Sequence, residues 1–204
     1  LRFAGLLYNL PSRIIEERSA ELLELFGLAD KRSRPVGSLS GGMRRALDIV
    51  RGVIHHPRIL FLDEPTIGLD LPNRRKIWRF IENLRARTGM TVLLTTHYLE
   101  EADSCDRVAF IKSGKLVKSG SPAEMVASLG RYIVEIESPD VETLAQRLAP
   151  TLGTCLFDGD VAHFRYADED VVRLAGLQSV PGIQVRALRW RQPNLNDVFL
   201  WVAE

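Results

Sequence analysis

Two cysteines in 204 residues, Cys105 and Cys155, are too few and too far apart for a disulfide framework. Neither lies in a C-x-x-C pair or a histidine-containing spacing that would hold zinc, so both read as reduced thiols. Long apolar runs are missing too. Stretches such as 59–62 and 92–94 fall far short of the about 20 residues that a bilayer-spanning helix needs. Charge of one sign is absent as well. Lys and Arg number 27 against 26 Asp and Glu, and the net charge of +1 gives no electrostatic case for nucleic acid or an anionic membrane as the main partner. No fixed-period repeat or low-complexity tract is present, and no signal peptide is expected. The opening Leu1-Arg2-Phe3, without methionine or a cleavage pattern, predicts a start internal to a longer protein.

What is present is the composition of a packed globular chain, 46% hydrophobic and 26% charged. Apolar residues at helical spacing predict helices over 12–26, over 41–54 behind an N-capping Ser40, and over 74–84. Continuous apolar runs predict buried strands over 59–62, 91–95 and 108–111. A hairpin turn follows at 112–115, and Ser121-Pro122 opens a short helix. Strands alternating with helices give an α/β class with a parallel sheet, whose ligands collect beyond the carboxyl ends of its strands. After Gly130 the pattern changes to β-α-β-β-α-β. Its strands flank the Asp158-Gly159 turn and run over 183–190, its second helix covers 170–177, and a closing helix starts at Asn194. That order suits a small α+β, ferredoxin-like module. Charge divides at the same place: residues 1–130 carry 20 basic and 15 acidic side chains, residues 131–204 carry 7 and 11. Two domains, 1–130 and 131–204, are expected.

Three elements carry chemistry. Asp63-Glu64 closes an apolar strand, where one carboxylate can hold Mg²⁺ and the next can orient or deprotonate a water attacking a phosphate. Leu39-Ser40-Gly41-Gly42 opens a helix, where bare backbone N–H groups, a hydroxyl and the helix dipole can cradle an anion. His97 follows the 91–95 strand as Asp63 follows its own, so parallel pairing would bring them to one sheet edge. Each has a plainer reading when taken alone: a strand end turning into solvent, a Ser-capped helix with permissive glycines, and a structural histidine. Gly68-Leu69-Asp70 adds a fourth element, and the four occur in one order on compatible secondary structure.

Taken together, these motifs resemble the ATP-binding subunit of an ABC transporter. Leu39-Ser40-Gly41-Gly42 matches the signature motif, and 59–66 matches the Walker B strand with its catalytic glutamate. Gly68-Leu69-Asp70 matches the D-loop, and Thr95-Thr96-His97 the switch histidine. Glu100-Glu101-Ala102 and the ending 193–200 resemble the drug- and multidrug-exporter branch. The resemblance implies a partial P-loop NTPase cassette, with a helical-subdomain remainder and the C-terminal part of the parallel sheet, over 1–130. It implies ATP and Mg²⁺ as cofactors. Ser40, Gly41 and Gly42 would bind the γ-phosphate of ATP held by a second subunit, and Asp70 would cross that interface. Asp63 would support Mg²⁺, Glu64 would be the general base, and His97 would touch the γ-phosphate. Implied partners are a second ATP-binding subunit, in a homodimer or pseudo-symmetric dimer, and a transmembrane permease subunit. The chain would lie peripherally on the cytoplasmic face of the membrane, its membrane contact indirect, and would power export.

Three family elements are not found. No G-x-x-x-x-G-K-[ST] phosphate loop occurs, Gln146 is the first glutamine, so no Q-loop residue precedes the signature, and the aromatic that stacks on adenine at the start of the domain is missing. All three belong upstream of Leu1 in the family, which predicts truncation, with this chain inactive alone and its parent active. A soluble non-transport ABC-type ATPase and a non-catalytic regulator are the alternatives. A single signature motif and a net acidic tail disfavour the first. Among smaller signals, His55-His56 reads as a helix end explained by a favourable dipole interaction or plain solvation rather than a metal role, and Arg44-Arg45 as a solvated helix face. Trp78, Trp190 and Trp201 read as core or docking residues rather than stacking platforms.

Overall fold

The computed structural model describes residues 1–167 and 181–203. They fall into two compact units, Leu1–His97 and Tyr98–Glu204.

The first unit begins with α1 (Arg2–Leu7) and α2 (Ser12–Leu25). The two helices pack closely because Gly5 has no side chain: a Cβ there would lie 2.5 Å from Ile15 Cγ1. Single turns at Ala29–Lys31 and Val36–Ser38 lead to α3 (Gly41–Val53). Then follow β1 (Ile59–Asp63), α4 (Leu71–Thr88) and β2 (Thr91–Thr95). The helix over 74–84 starts earlier than its apolar pattern indicates, because Asp70 caps it, accepting from Asn73 N at 3.0 Å, and Pro72 suits its first turn. Gly89, with φ 66°, closes it. One core holds Ile15, Leu22 and Leu23 of α2, Ile49, Val50 and Val53 of α3, and Ile77, Phe80 and Ile81 of α4, with Leu60 of β1.

Strands β1 and β2 pair in parallel, with Phe61 opposite Leu93 and Asp63 opposite Thr95. Two corrections to the expected buried sheet follow. Only one face of the pair is packed: Leu60 is buried, whereas Ile59, Phe61 and Leu93 are exposed. The third expected strand, β3 (Val108–Lys112), pairs antiparallel with β4 (Lys115–Gly120) and belongs to the second unit.

In the second unit, α5 (Leu99–Ala102) precedes the β3–β4 hairpin, whose turn takes positive φ at Ser113 and Gly114. Next comes α6 (Pro122–Ala127), opened by a reciprocal Ser121–Glu124 capping box. The remaining elements are β5 (Tyr132–Glu137), α7 (Val141–Leu152), β6 (Cys155–Asp158), β7 (Val161–Tyr166), β8 (Ala187–Arg191) and α8 (Leu195–Ala203). The strands form one antiparallel sheet in the order β6-β7-β5-β8. These are the four strands of the β-α-β-β-α-β pattern. Its second helix, expected over 170–177, lies outside the described residues. The last strand is shorter than expected: Ile183 and Val185 pack against the core beside Val134 and Phe164, but the ladder with β5 begins only at Ala187. A second cluster joins Ala102, Phe110, Met125 and Leu129 to Ile133, Leu195 and Val198. That shared core groups 98–130 with the tail, so compactness divides the chain at His97 and Tyr98 whereas the surface charge changes at Gly130.

Trp190 is 40% exposed, so of the two expected roles, core or docking, it does not take the core one. Trp201 packs against the core of the second unit, as expected, and the Arg165 guanidinium lies 4.5 Å from the centre of its ring. No helix among the described residues is long and apolar enough to cross a membrane.

Candidate functional site

Parallel pairing of β1 with β2 decides what the carboxyl ends present. Because Asp63 stands opposite Thr95, the residues just beyond each strand meet at one edge. His97 Nε2 lies 2.5 Å from Glu64 Oε1. The imidazole is 76% exposed and the carboxylate 28%, so the pair opens to solvent through the histidine. One residue back, Thr95 Oγ1 donates to Asp63 Oδ1 at 2.5 Å and accepts from the Glu64 N–H at 3.0 Å. That N–H also reaches the Thr95 carbonyl at 3.2 Å. A single β2 threonine therefore orients both carboxylate residues. Its signal in the sequence was only a threonine in register with Asp63.

Glu64 has φ 44°, a left-handed conformation rare for a residue other than glycine. The turn it starts is closed by Ile67 N to Glu64 O at 3.3 Å and Leu69 N to Thr66 O at 3.1 Å, with Pro65 and Thr66 buried beneath it. Gly68, φ 73°, supplies the second left-handed position.

The start of α3 is built as a cap. Ser40 Oγ accepts from Met43 N at 3.3 Å, while Gly41 and Gly42 occupy the first turn. A Cβ on Gly42 would lie 3.1 Å from Asn73 Cγ, so this glycine lets the first turn of α4 approach. Asp70, at the head of α4, has its carboxylate engaged as an N-cap. Asp63, Glu64 and His97 thus form one group, and Ser40, Gly41, Gly42 and Asp70 lie at the heads of two neighbouring helices.

The expectation of a solvated Arg44-Arg45 face is overturned. Arg44 Nη1 donates to the Leu39 carbonyl at 2.5 Å, which holds the entry to α3. Arg45 spans from α3 to the Glu64 turn: Nε donates to Pro65 O at 2.8 Å, and Nη2 to Asp63 O and Glu64 O at 2.8 and 2.6 Å. Helical spacing told which way Arg45 leaves α3 but not which carbonyls end its reach. At the other end of α3, Arg18 Nη1 donates to Ile54 O at 3.0 Å, and Tyr8 stacks on His55 with ring centres 3.7 Å apart. His55 is thus packed rather than solvated. Burial, aided by nearby Arg18, lowers the pKa of both His55 and His56.

The donor set suits Mg²⁺ rather than a cation caged by protein. Among the described residues no group of three or more His, Cys, Asp or Glu could hold a metal by itself. Asp63 offers one oriented carboxylate, which is what a small, octahedral cation that keeps its waters and substrate phosphates requires.

Residues 7–67 match the ABC transporter family. The chain is 39% identical over 202 residues to Nod factor export ATP-binding protein I of Cupriavidus pinatubonensis, across 98% of this chain and 61% of that protein. It is 38% identical over 192 residues to the daunorubicin/doxorubicin resistance ATP-binding protein DrrA of Streptomyces peucetius, across 90% and 58%. The chain therefore spans less than two thirds of the curated relatives it matches. Among solved structures it is similar to cbiO1 from Clostridium perfringens, part of the ABC transporter complex cbiONQ. That likeness has a TM-score of 0.57 at 25% identity and covers 74% of this chain and 55% of the other.

Proposed function

We propose, from the premise that this chain belongs to the ATP-binding cassette family of the ABC transporters, that its residues 39–97 form part of a site that binds and hydrolyses ATP to power export. The observation that carries this reading is the Glu64–His97 pair at the joined carboxyl ends of β1 and β2, beside an Asp63 held by Thr95. Phosphoryl transfer to water asks a protein mainly for positioning and charge stabilisation, and this edge supplies both.

Asp63 would hold Mg²⁺, which would supply charge neutralisation at the phosphates. Glu64 orients the attacking water and takes its proton. His97, whose Nε2 lies beside Glu64 Oε1, touches the γ-phosphate and orients the carboxylate toward the water. Thr95 keeps Asp63 and the Glu64 peptide in register. Ser40, Gly41 and Gly42 offer backbone N–H groups at the head of α3 to the γ-phosphate of a nucleotide carried by a second ATP-binding subunit, in a homodimer or pseudo-symmetric dimer. Asp70 stands at that interface. A transmembrane permease subunit couples the cycle to transport, and the chain sits on the cytoplasmic face. Export is favoured because the similar proteins are named for Nod factor export and for daunorubicin and doxorubicin resistance. Residues 131–204 act as an accessory domain to the 1–130 cassette.

The chain carries no G-x-x-x-x-G-K-[ST] loop, so hydrolysis needs a longer polypeptide that supplies one. Phosphate release from Mg-ATP by the full-length protein, beside the 204 residues alone, tests this. Saturable turnover by the first and none by the second is expected. Micromolar Mg-ATP affinity in the 204 residues, or no turnover by the full-length protein, would overturn the proposal.

A further inference from the structure

Arg45 gives the site a component that neither the motifs nor the relatives assign. It lies on α3, just over one turn beyond Ser40, and its half-buried guanidinium satisfies three consecutive carbonyls, those of Asp63, Glu64 and Pro65, at 2.6 to 2.8 Å. These carbonyls belong to the turn in which Glu64 takes its left-handed φ of 44°. The Glu64 peptide is thereby held from both sides. Its N–H is fixed by Thr95 of β2, and its carbonyl by Arg45 of α3.

A rigid planar fork with three bonds to one turn transmits movement in a way that a flexible ammonium cannot. If α3 shifts when an anion docks at Ser40–Gly42, the Glu64 turn is carried with it. Glu64 Oε1 lies only 2.5 Å from His97 Nε2, so a small rotation of the turn changes where the carboxylate points.

We infer that Arg45 is a positioning residue for the proposed hydrolysis, linking the anion cradle at the head of α3 to the direction of the Glu64 carboxylate. This rests on the function proposed above. It adds a coupling route inside one subunit, between the segment that would sense a partner's nucleotide and the group that would activate water in its own site.

The test has two arms. In the full-length protein, Arg45→Ala is expected to lower the kcat for Mg-ATP hydrolysis by about 10- to 100-fold, the cost of misplacing a reacting group by about 1 Å, while KM changes less than about 3-fold. Arg45→Lys, which keeps charge but loses the fork, should fall between the two. In the 204-residue chain, hydrogen exchange should quicken at the Ile67 and Leu69 amides in Arg45→Ala, with exchange in the α2 and α4 interiors unchanged. Wild-type kcat in Arg45→Ala, or a raised KM at unchanged kcat, would overturn the coupling. Unchanged exchange at Ile67 and Leu69 would overturn the positioning of the turn. If the wild-type full-length protein hydrolyses nothing, the proposed function fails, and the exchange arm alone then supports or refutes the mechanical link.

Discussion

Asp197 is a small carboxylate on which the second unit depends. It stands in the first turn of α8 with its side chain only 5% exposed. It accepts from Arg191 Nη1 at 2.7 Å, from Arg191 Nη2 at 2.8 Å and from Asn194 N at 2.8 Å. Asn194 Oδ1 returns the cap by accepting from Asn196 N and Asp197 N. Arg191, at the end of β8, also donates through Nε to Glu135 Oε1 of β5 at 2.8 Å. These partners raise the pKa of Arg191, Asp197 first. Asn194 is thus the N-cap of α8, and Asp197, at the third helical position, closes the capping box and ties the helix to the sheet. Losing the bond that Asp197 accepts from the Asn194 N–H costs about 1 kcal/mol. Stranding the partner of a buried pair costs about 3–5 kcal/mol, and this is discounted to about 2 because Arg191 is 38% exposed and keeps its bond to Glu135. Asp197→Ala should thus lose about 3 kcal/mol, and Asp197→Asn, which keeps a cap acceptor, about 2 kcal/mol. Urea unfolding in a Trp78→Phe background reads this directly, since Trp190 and Trp201 both lie in the second unit. At a slope of about 2 kcal/mol per molar urea, the Ala midpoint should fall by about 1.5 M. Asp160→Ala is the control within the same unit: its pair with Arg186 has side chains 60% and 46% exposed and should cost under about 0.5 kcal/mol. Asp197→Ala within about 0.5 kcal/mol of wild type would refute the reasoning.

Three further outcomes are expected. Gly5→Ala should destabilise the first unit by about 1–3 kcal/mol through overpacking on Ile15, and Ile15→Val in the same chain should recover part of it, as chemical denaturation would show. Folding lowers the pKa of His55 and His56, so both are neutral in either state well above the ordinary histidine value and their contribution to stability is then complete. As pH falls through that value toward the folded one, the unfolded chain takes up protons first and stability drops. A double His55→Asn, His56→Asn chain should show a shallower fall in urea midpoint over that window, and an identical slope would contradict it. Thr95→Val keeps the shape of β2 but removes the hydroxyl between Asp63 and Glu64, and should slow hydrolysis by the full-length protein about 10-fold, the worth of about one hydrogen bond.

The elements themselves were legible because their apolar spacing is strong. The Thr91–Thr95 strand matches its expected span, and Ser40 caps α3 as its residue type indicates. Partnership and burial were unevenly legible. The turn at 112–115 marks the hairpin that β3 makes with β4, whereas the four-residue apolar run 108–111 reads as buried although only Phe110 is, with Ile111 exposed. Charge balance changes at Gly130, but it reports surface residues, whereas the compact units follow the core that joins Phe110 and Met125 to Val198. At the site, Asp63, Glu64 and His97 were readable because strand ends are fixed by the strand period. Arg45 was not, because a long side chain can reach solvent or backbone alike. Only the left-handed turn at Glu64, invisible in sequence, created the row of carbonyls that holds it.

The most direct test of the central claim is single-turnover phosphate release by full-length protein carrying Glu64→Gln. Removing the base while keeping its shape should slow release by about 10²-fold or more, with Mg-ATP binding retained. Release near the wild-type rate would show that the Glu64–His97 pair does not activate the water.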